Sequence, residues 1–328
     1  MIVLFAVAAC AQPGQQQQFG TPEPEAFRLR ADEVAAAWRA NPALKAWQQG
    51  YVPLQDATVL PADPGFDDET KQAFLAGWYR SQVSLPTDRP ADGVIQFPDG
   101  TLEVPLISAA EAYDQLDLGD PPPCPRRPAA PTSAPADDPD VSVSSPVTAC
   151  TALTVTDAAL GTVTVRTSRG EAQVPAWLFT VAELDGPVAR VAVASPAVTP
   201  PPEISPPTSS VEGLVSAQDL TSVDGRQLTY RLGVGACDTD IKPLVHESED
   251  LVVVAGTVTT SPGPCTMQLV LAPVTVTLAE PLGSRTVLDA VTGQPLLLRS
   301  AWVAWAPQPN ALDPYQALGR KLSCETWC

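Results

Sequence analysis

The chain has little positive charge. Its 328 residues include 19 lysines and arginines against 37 aspartates and glutamates, which gives a formal net charge of −18 at pH 7. Phosphate backbones repel a protein of this charge, so nucleic-acid binding is not predicted. The same sign argues against attraction to anionic lipid head groups. If the protein sits at a membrane, we expect a covalent link to hold it there.

Histidine is nearly absent. Because His246 is the single one, a Ser-His-Asp or Cys-His triad has only one available base, and no G-x-S-x-G motif accompanies it. We expect His246 to lie in an exposed acidic turn before a strand that starts at Leu251. Phosphate-binding loops, dinucleotide-binding fingerprints and basic stripes with aromatic residues are also missing, so no cofactor is predicted.

Long apolar runs are missing too. A membrane-spanning helix needs about 20 apolar residues, and no stretch of the sequence reaches that length. A short run at residues 1–9 resembles the apolar part of a signal peptide. Val7 to Cys10 looks like the lipobox of bacterial lipoproteins, whose cysteine is acylated and becomes the first residue of the mature protein. No lysine or arginine precedes the run, so we expect an upstream start codon that adds one. The alternative is an apolar N-terminus without signal function.

The seven cysteines indicate an oxidising compartment. If Cys10 carries the lipid, six remain, an even number that suits disulfide bonding. Sequence does not fix their pairing, and we favour neighbours in chain order: Cys124 with Cys150, Cys237 with Cys265, and Cys324 with Cys328. A zinc site is the competing interpretation, but no C-x2-C spacing is present and His246 is distant in sequence.

Proline divides the chain into regions. Many of the 37 prolines fall in two clusters, within 120–145 and within 195–210, which we expect to be extended. The predicted divisions are a signal and flexible tether at 1–25, a mixed α+β region at 26–119, a proline-rich linker at 120–145, a β-rich region at 146–300 that 195–210 interrupts, and a C-terminal tail at 301–328.

Within 26–119, helix and strand signals alternate. Val34 and Trp38 are spaced as on one face of a helix, with their side chains expected in the core. Asp67 is a predicted N-cap of a helix that stops at Gly77. Alternating apolar residues on both sides of a Pro-Asp-Gly turn predict a hairpin over 94–104.

The remainder reads as short strands. Apolar residues alternate cleanly at Leu228, Tyr230, Leu232 and Val234. Further strands at short spacing favour one or two antiparallel sandwiches or an open barrel. They are predicted at Leu251 to Val254, Met267 to Leu271 and Val274 to Leu278. A proline inside the strand over 174–181, Pro175, predicts an edge position or a bulge there.

Some of these motifs resemble a known group of proteins. The matching residues are Thr167 to Gly170, Val174 to Phe179, Cys237-Asp238, Glu247, Cys265, Pro281 to Arg285, Asp289 and Thr292-Gly293. Together with the lipobox they look like actinobacterial cell-envelope lipoproteins, over about residues 145–300. The resemblance implies a disulfide-stapled β domain at the envelope. No activity is agreed for that family, so it transfers no catalytic residue.

Carboxylates flank the central cysteine pair. If Cys237 bonds Cys265, the neighbouring loops would bring together Asp238, Asp240, Glu247, Glu249 and Asp250. Three interpretations follow: a weak calcium site with oxygen ligands, an acid–base pair of the kind glycosidases use, or a solvated acidic face that keeps the protein soluble. We favour the last.

Two arginines lie beside glycines in predicted turns. Arg169 and Arg285 would hydrogen-bond loop carbonyls or pair with Asp289 and so fix a corner between strands. The alternative is that they bind an anionic ligand such as a wall polymer or a sugar acid. The structural role is favoured.

We therefore predict an α+β chain: a small mixed region, then an antiparallel β-sandwich-like part with disulfides. Lipidation at Cys10 would hold it on the extracytoplasmic face of the cell membrane. No catalytic, cofactor-binding or metal-binding residue is assigned. The leading functional hypothesis is a non-enzymatic binding or scaffold module whose partner is a cell-wall polymer or an envelope protein. The alternative is a secreted hydrolase that acts on cell-wall glycan through carboxylates.

Overall fold

A computed structural model of the protein describes residues 24–121, 151–202, 204, 211–261 and 263–299. Several predictions fall outside these residues. They are the lipidation of Cys10, the pairing of Cys124 with Cys150 and of Cys324 with Cys328, and the tail at 301–328, together with nearly all of the predicted tether and linker.

The described part of the chain is mainly β. Its α-helices are α1 Pro24–Arg39, α2 Leu44–Gln49, α3 Asp68–Ala76 and α4 Ala109–Asp114. Its strands are β1 Thr58–Val59, β2 Tyr79–Ser81, β3 Gly93–Phe97, β4 Gly100–Val104, β5 Leu153–Thr167, β6 Gly170–Val181, β7 Val188–Val191, β8 Leu214–Val215, β9 Ala217–Asp224, β10 Gln227–Gly235, β11 Asp238–Glu247, β12 Leu251–Thr260, β13 Leu269–Thr277 and β14 Thr286–Asp289. The described α-helices all precede residue 115, and strands account for most of the regular structure after it. The predicted α+β class therefore holds only loosely. Of these helices, none has the length and apolarity that crossing a bilayer requires.

The described residues form two compact units. Unit 1 contains those up to Leu54, with Arg166–Glu171 and Thr199–Leu298. Unit 2 contains Gln55–Val165 and Ala172–Val198, with Arg299. Both units combine segments that are distant in sequence. Their boundaries therefore differ from the predicted ones, which follow the proline-rich segments.

Unit 1 contains two sheets. In the first, β10 lies between β9 and β13, and both pairings are antiparallel. In the second, β12 pairs antiparallel with β11 and β8 but parallel with β14. The prediction of a purely antiparallel region is therefore wrong at β14, which reaches β12 after the intervening strand β13 has joined the other sheet.

The two sheets of unit 1 enclose one hydrophobic cluster. The alternating residues of β10 that the sequence predicts to face the core are all buried: Leu228, Tyr230, Leu232 and Val234. They share the cluster with Val252 and Val254 of β12. The Tyr230 hydroxyl lies 2.8 Å from the Ala255 carbonyl oxygen and 3.1 Å from that of Leu244, and burial raises the pKa of this phenol. This hydrophobic core of unit 1 therefore lies between the two sheets.

The second face of β12 is buried as well. Successive side chains of a strand point to opposite faces, and here Leu251 and Val253 contact a cluster that contains α1 and α2. Trp38 and Trp47 meet in that cluster with ring centroids 4.9 Å apart in an edge-to-face arrangement. The prediction that Trp38 lies in the core is confirmed.

Unit 2 is built on a seven-stranded sheet in which β1, β7, β6, β3 and β4 are neighbours in that order, while β5 pairs with β6 and β2. The predicted hairpin is confirmed as β3 and β4. Asp67 caps α3 through the backbone N–H of Thr70, and Gly77 ends it in the left-handed conformation. Pro175 lies between Gln173, which pairs with β3, and Ala176, which pairs with β7. A change of partner strand tolerates a residue that lacks an N–H donor.

A disulfide joins Cys237 to Cys265 with a sequence separation of 28 residues. This is the middle pair of the three that chain order favours. Cys237 stands between β10 and β11, and Cys265 precedes β13. The bond therefore fixes the segment that leads into β13 against the connection between the two sheets.

We expect replacement of Cys237→Ser together with Cys265→Ser to lower the free energy of unfolding by about 3–4 kcal/mol, because the loop closed by the bond gains conformational entropy in the unfolded chain. Chemical denaturation under oxidising conditions measures the loss. The neighbouring exchange Thr266→Ser serves as the control and should leave stability unchanged. Equal stability of the double variant and the wild type would show that the bond does not constrain the fold.

Candidate functional site

The acidic residues around the central cysteines do not converge. Asp238 and Glu247 are the first and last residues of β11. With about 3.3 Å of rise per residue, a strand of this length separates its ends by roughly 30 Å. The predicted meeting of Asp238 and Asp240 with Glu247, Glu249 and Asp250 is therefore wrong. Within the described ranges, no three histidine, cysteine, aspartate or glutamate side chains are grouped to hold a metal ion.

Glu247 belongs instead to an ion pair with Arg285. The two side chains meet at 2.8 Å and are mostly shielded from solvent. Arg285 also donates to the carbonyl oxygens of Glu280 and Pro281 at 2.7 and 3.2 Å. Although burial raises the pKa of Glu247, the Ala279 N–H at 2.8 Å and the Arg285 guanidinium outweigh it and hold that pKa below its ordinary value. Arg285 therefore fixes a loop, which is the structural role that the sequence favours. The predicted pairing with Asp289 is wrong, because the carboxylate partner of Arg285 is Glu247.

Asp289 is a fully buried structural acceptor. Its carboxylate receives hydrogen bonds from the Ala217 N–H at 2.8 Å and from the Ser216 hydroxyl at 2.9 Å. The N–H and hydroxyl of Thr292 donate to it at 2.9 and 2.8 Å. These four donors hold the turn after β14 against the start of β9 and use most of the lone pairs that a ligand would need.

His246 lies inside β11, where it pairs with Val253. The prediction of an exposed turn is wrong, because the strand extends to Glu247. The half-buried imidazole places Nε2 3.3 Å from the Asp32 carboxylate of α1. In the described part of the chain, no hydrogen bond joins His246 to a serine or a cysteine, so the triad geometry is not formed there.

Arg169 occupies the turn between β5 and β6. The Thr167 hydroxyl donates to the Gly170 carbonyl at 2.7 Å and accepts from the Arg169 N–H at 3.1 Å. The Arg169 guanidinium reaches the carbonyl oxygen of Gln49 at 3.4 Å. Bonding to a loop carbonyl is the structural role that the sequence favours for this residue.

Unit 2 has an open surface pocket of about 550 Å³, with Arg89, Glu111 and Gln115 among its polar lining residues. Arg89 donates to Glu111 at 2.6 and 3.2 Å, and this guanidinium lowers the pKa of the carboxyl. Gln115 accepts two hydrogen bonds from Arg190 at 2.8 and 3.1 Å. Asp114 also lines the pocket, and of these two carboxylates Glu111 is held ionised in its ion pair with Arg89.

The most unusual surface lies at the start of β13. Ten large hydrophobic residues are exposed in the described ranges, and four of them fall within residues 267–271. We call residues 267–271 the apolar edge. The exposed fractions are 104% for Met267, 65% for Leu269, 37% for Val270 and 36% for Leu271. Scattered exposed hydrophobic residues are ordinary, but four within five consecutive residues indicate an interaction surface. Leu269 and Leu271 contribute to it on the outer face, and Val270, opposite the buried Val234, lies on the other face.

The pairing of β13 with β10 explains this exposure. Directly opposite residues of an antiparallel pair place their side chains on the same face. Leu269 stands opposite Gly235 and Leu271 opposite Gly233, so β10 offers no side chain to cover either leucine. A Cβ atom added to Gly233 would lie 3.3 Å from Leu269. The two glycines therefore let Leu269 lie flat on the outer face of the sheet.

Sequence reasoning missed this surface, since it treated residues 267–271 only as a strand. One signal was present: residues 251–279 contain no charged side chain, in a chain with 56 of them when the 19 basic and 37 acidic residues are added. A strand that is buried on both faces, such as β12, explains the first part of that run. An edge strand has no such explanation.

The comparisons with known proteins add no relative. No protein-family model matches the chain, and neither a curated protein nor a solved structure matches it significantly.

The Glu247–Arg285 pair predicts a specific dependence of stability on pH. Since the folded pKa of Glu247 is below its unfolded value of about 4.3, the ionised carboxylate stabilises the fold above that pH. This contribution is lost as the pH falls through the folded pKa. We expect Glu247→Gln to lower the free energy of unfolding by about 1–3 kcal/mol at pH 7, and the difference from the wild type to shrink toward pH 3.

Denaturant titrations at several pH values measure this difference. The exchange Glu103→Gln, at an exposed position of β4, is the matched control and should have little effect at any pH. A difference between Glu247→Gln and the wild type that stays constant with pH would contradict the role assigned to the ionised pair.

Proposed function

We propose that this protein is a lipid-anchored binding module on the extracytoplasmic face of the cell membrane, and that the apolar edge is its docking surface. The exposed group at residues 267–271 is the observation that carries the proposal. A surface of this kind costs solubility, and a folded protein keeps it where a partner covers it.

The proposed location rests on two features of the chain. The lipobox-like segment Val7 to Cys10 would supply the acylated cysteine. The disulfide between Cys237 and Cys265 is of the kind that persists in oxidising compartments. The resemblance to actinobacterial envelope lipoproteins agrees with both and remains part of the proposal.

The character of the apolar edge favours one of the two partner classes considered. A cell-wall polymer of sugars presents hydroxyls and charged groups, which require polar side chains in the protein. The apolar edge offers none of these except the amide of Gln268. An envelope protein with an apolar surface fits better, because burying hydrocarbon on both sides drives association.

The carboxylates that the sequence offered for the hydrolase alternative do not face each other. They are separated along β11, and Glu247 and Asp250 are bound by Arg285 and Arg39. Glycosidase carboxyls must face each other within about 10 Å across a cleft.

The anchor predicts that cells grown with labelled palmitate incorporate the label into this protein at Cys10. We expect Cys10→Ala to abolish the labelling and release the protein from the membrane fraction, since a thioether-linked lipid requires the thiol. The double variant Cys237→Ser with Cys265→Ser, which alters other cysteines, should remain labelled. Wild-type protein that stays unlabelled and fractionates with the cytosol would refute the proposed location.

A further inference from the structure

We infer that the apolar edge binds its partner by strand addition: an extended, uncharged segment with basic flanks pairs with the outer edge of β13. This inference rests on the proposed function, because it names the partner chemistry of the same surface. It commits to a polypeptide of another protein rather than a second copy of this chain.

The backbone of β13 has one paired edge and one open edge. The Gln268 carbonyl accepts from the Ala236 N–H at 3.2 Å, and the Leu278 N–H donates to the Arg226 carbonyl at 2.8 Å. The backbone groups of the even-numbered residues Gln268 and Leu278 thus point toward β10, and the register between the two strands is continuous. Alternate residues of a strand direct their backbone groups to opposite sides. The N–H and C=O groups of Leu269 and Leu271 must therefore point outward.

Nothing in the described ranges pairs with that outer side. β13 is the last strand of its sheet, and no backbone hydrogen bond to the N–H of Leu269 or Leu271 is formed there. Backbone donors and acceptors in a row are the template that an added strand uses. A polypeptide strand repeats its N–H and C=O groups at the spacing of this row, so the geometry selects a polypeptide.

Pro273 limits where the added strand fits. As an odd-numbered residue of β13, Pro273 has its nitrogen on the outer side. Its missing N–H therefore leaves the pairing with β10 intact but would interrupt the hydrogen bonds to an added strand. Within residues 267–277, the exposed large hydrophobic residues all lie on the N-terminal side of Pro273. Side chains and backbone therefore define the same short segment, residues 267–272, as the binding edge.

The acidic charge of this chain favours basic residues on both sides of the partner's segment. The Asp238 carboxylate accepts from the Gly235 N–H at 2.7 Å on the side of β10 that faces β9, so it lies across β10 from the open edge. Asp240 follows and is exposed. An uncharged edge on a chain of net charge −18 attracts basic flanks and repels a second copy at long range.

Hydrogen exchange with a defined peptide tests this directly. The probe is acetyl-KTVTVTVK-amide, added to the purified protein with its disulfide intact. We expect the N–H groups of Leu269 and Leu271 to exchange rapidly in the free protein. When the peptide occupies 90% of the protein, the exchange rate of these two N–H groups should fall about tenfold, because only the free protein then exchanges. The acidic peptide acetyl-ETVTVTVE-amide should bind several-fold more weakly, a difference that added salt reduces.

Two matched pairs of variants separate strand addition from a general apolar contact. Leu271→Pro removes an outward N–H that β10 does not use, and we expect peptide affinity to fall at least about tenfold, consistent with the loss of one or more backbone hydrogen bonds. Thr275→Pro makes the same change beyond Pro273 and should retain binding. Leu269→Lys should lower peptide affinity as well, while Leu160→Lys, at an exposed leucine of β5, should leave it unchanged.

Three results would overturn the inference: no slowing by the peptide, equal binding by the Leu271→Pro variant, or slow exchange of both N–H groups before peptide is added. In the last case the edge is already covered, by a second copy if protection rises with protein concentration and by the chain itself if it does not. None of these results would affect palmitate labelling at Cys10, so the failure of strand addition and that of the proposed location are distinguishable.

Discussion

The pairing of β13 with β10 is the constraint on which the rest of unit 1 depends. β10 alternates buried residues with small or polar ones, and its register decides which side chains of β13 enter the core. Ala272 and Val276 face inward for this reason, while Leu269 and Leu271 stand over glycines on the outer face. The exposed surface is thus a consequence of how the core is made, because a one-residue shift would turn every side chain of β13 to the other face. The disulfide acts on the same element, since it holds the segment before β13.

The charged residues near the candidate site serve the fold. Glu247, Asp250 and Asp219 are each bound by an arginine, and Asp289 is held by backbone and hydroxyl donors. Because ionised groups that are partly buried require partners, such pairs explain the clusters of carboxylates without chemistry. The described part of unit 1 shows no partner for the exposed side chains of the apolar edge or for the outer side of β13. Binding of a polypeptide uses both of them.

Local signals in the sequence were predictive where one residue decides the outcome. Asp67 and Gly77 bound α3, and the Pro-Asp-Gly turn forms its hairpin, because caps and tight turns depend on neighbours in sequence. The alternation at Leu228 to Val234 likewise identified the core face of β10. Long-range partners could not be predicted: Arg285 binds Glu247 rather than Asp289, and His246 lies in a strand, since strand ends and ion pairs depend on tertiary packing. The apolar edge was missed for the same reason, as its leucines are exposed only because glycines of another strand lie opposite.

Site-specific crosslinking in intact cells can detect a partner at the apolar edge. A photoreactive residue placed at position 269, in a chain that keeps Cys10, would sit on the proposed docking surface. The same residue at position 160 would sit at an exposed apolar position elsewhere, where the native leucine is 44% exposed against 65% for Leu269. The account predicts a covalent adduct with another protein from position 269 alone, and its loss when Leu271 is also replaced by proline. Adducts of equal yield from both positions, or an adduct that persists with proline at 271, would contradict strand addition at the apolar edge.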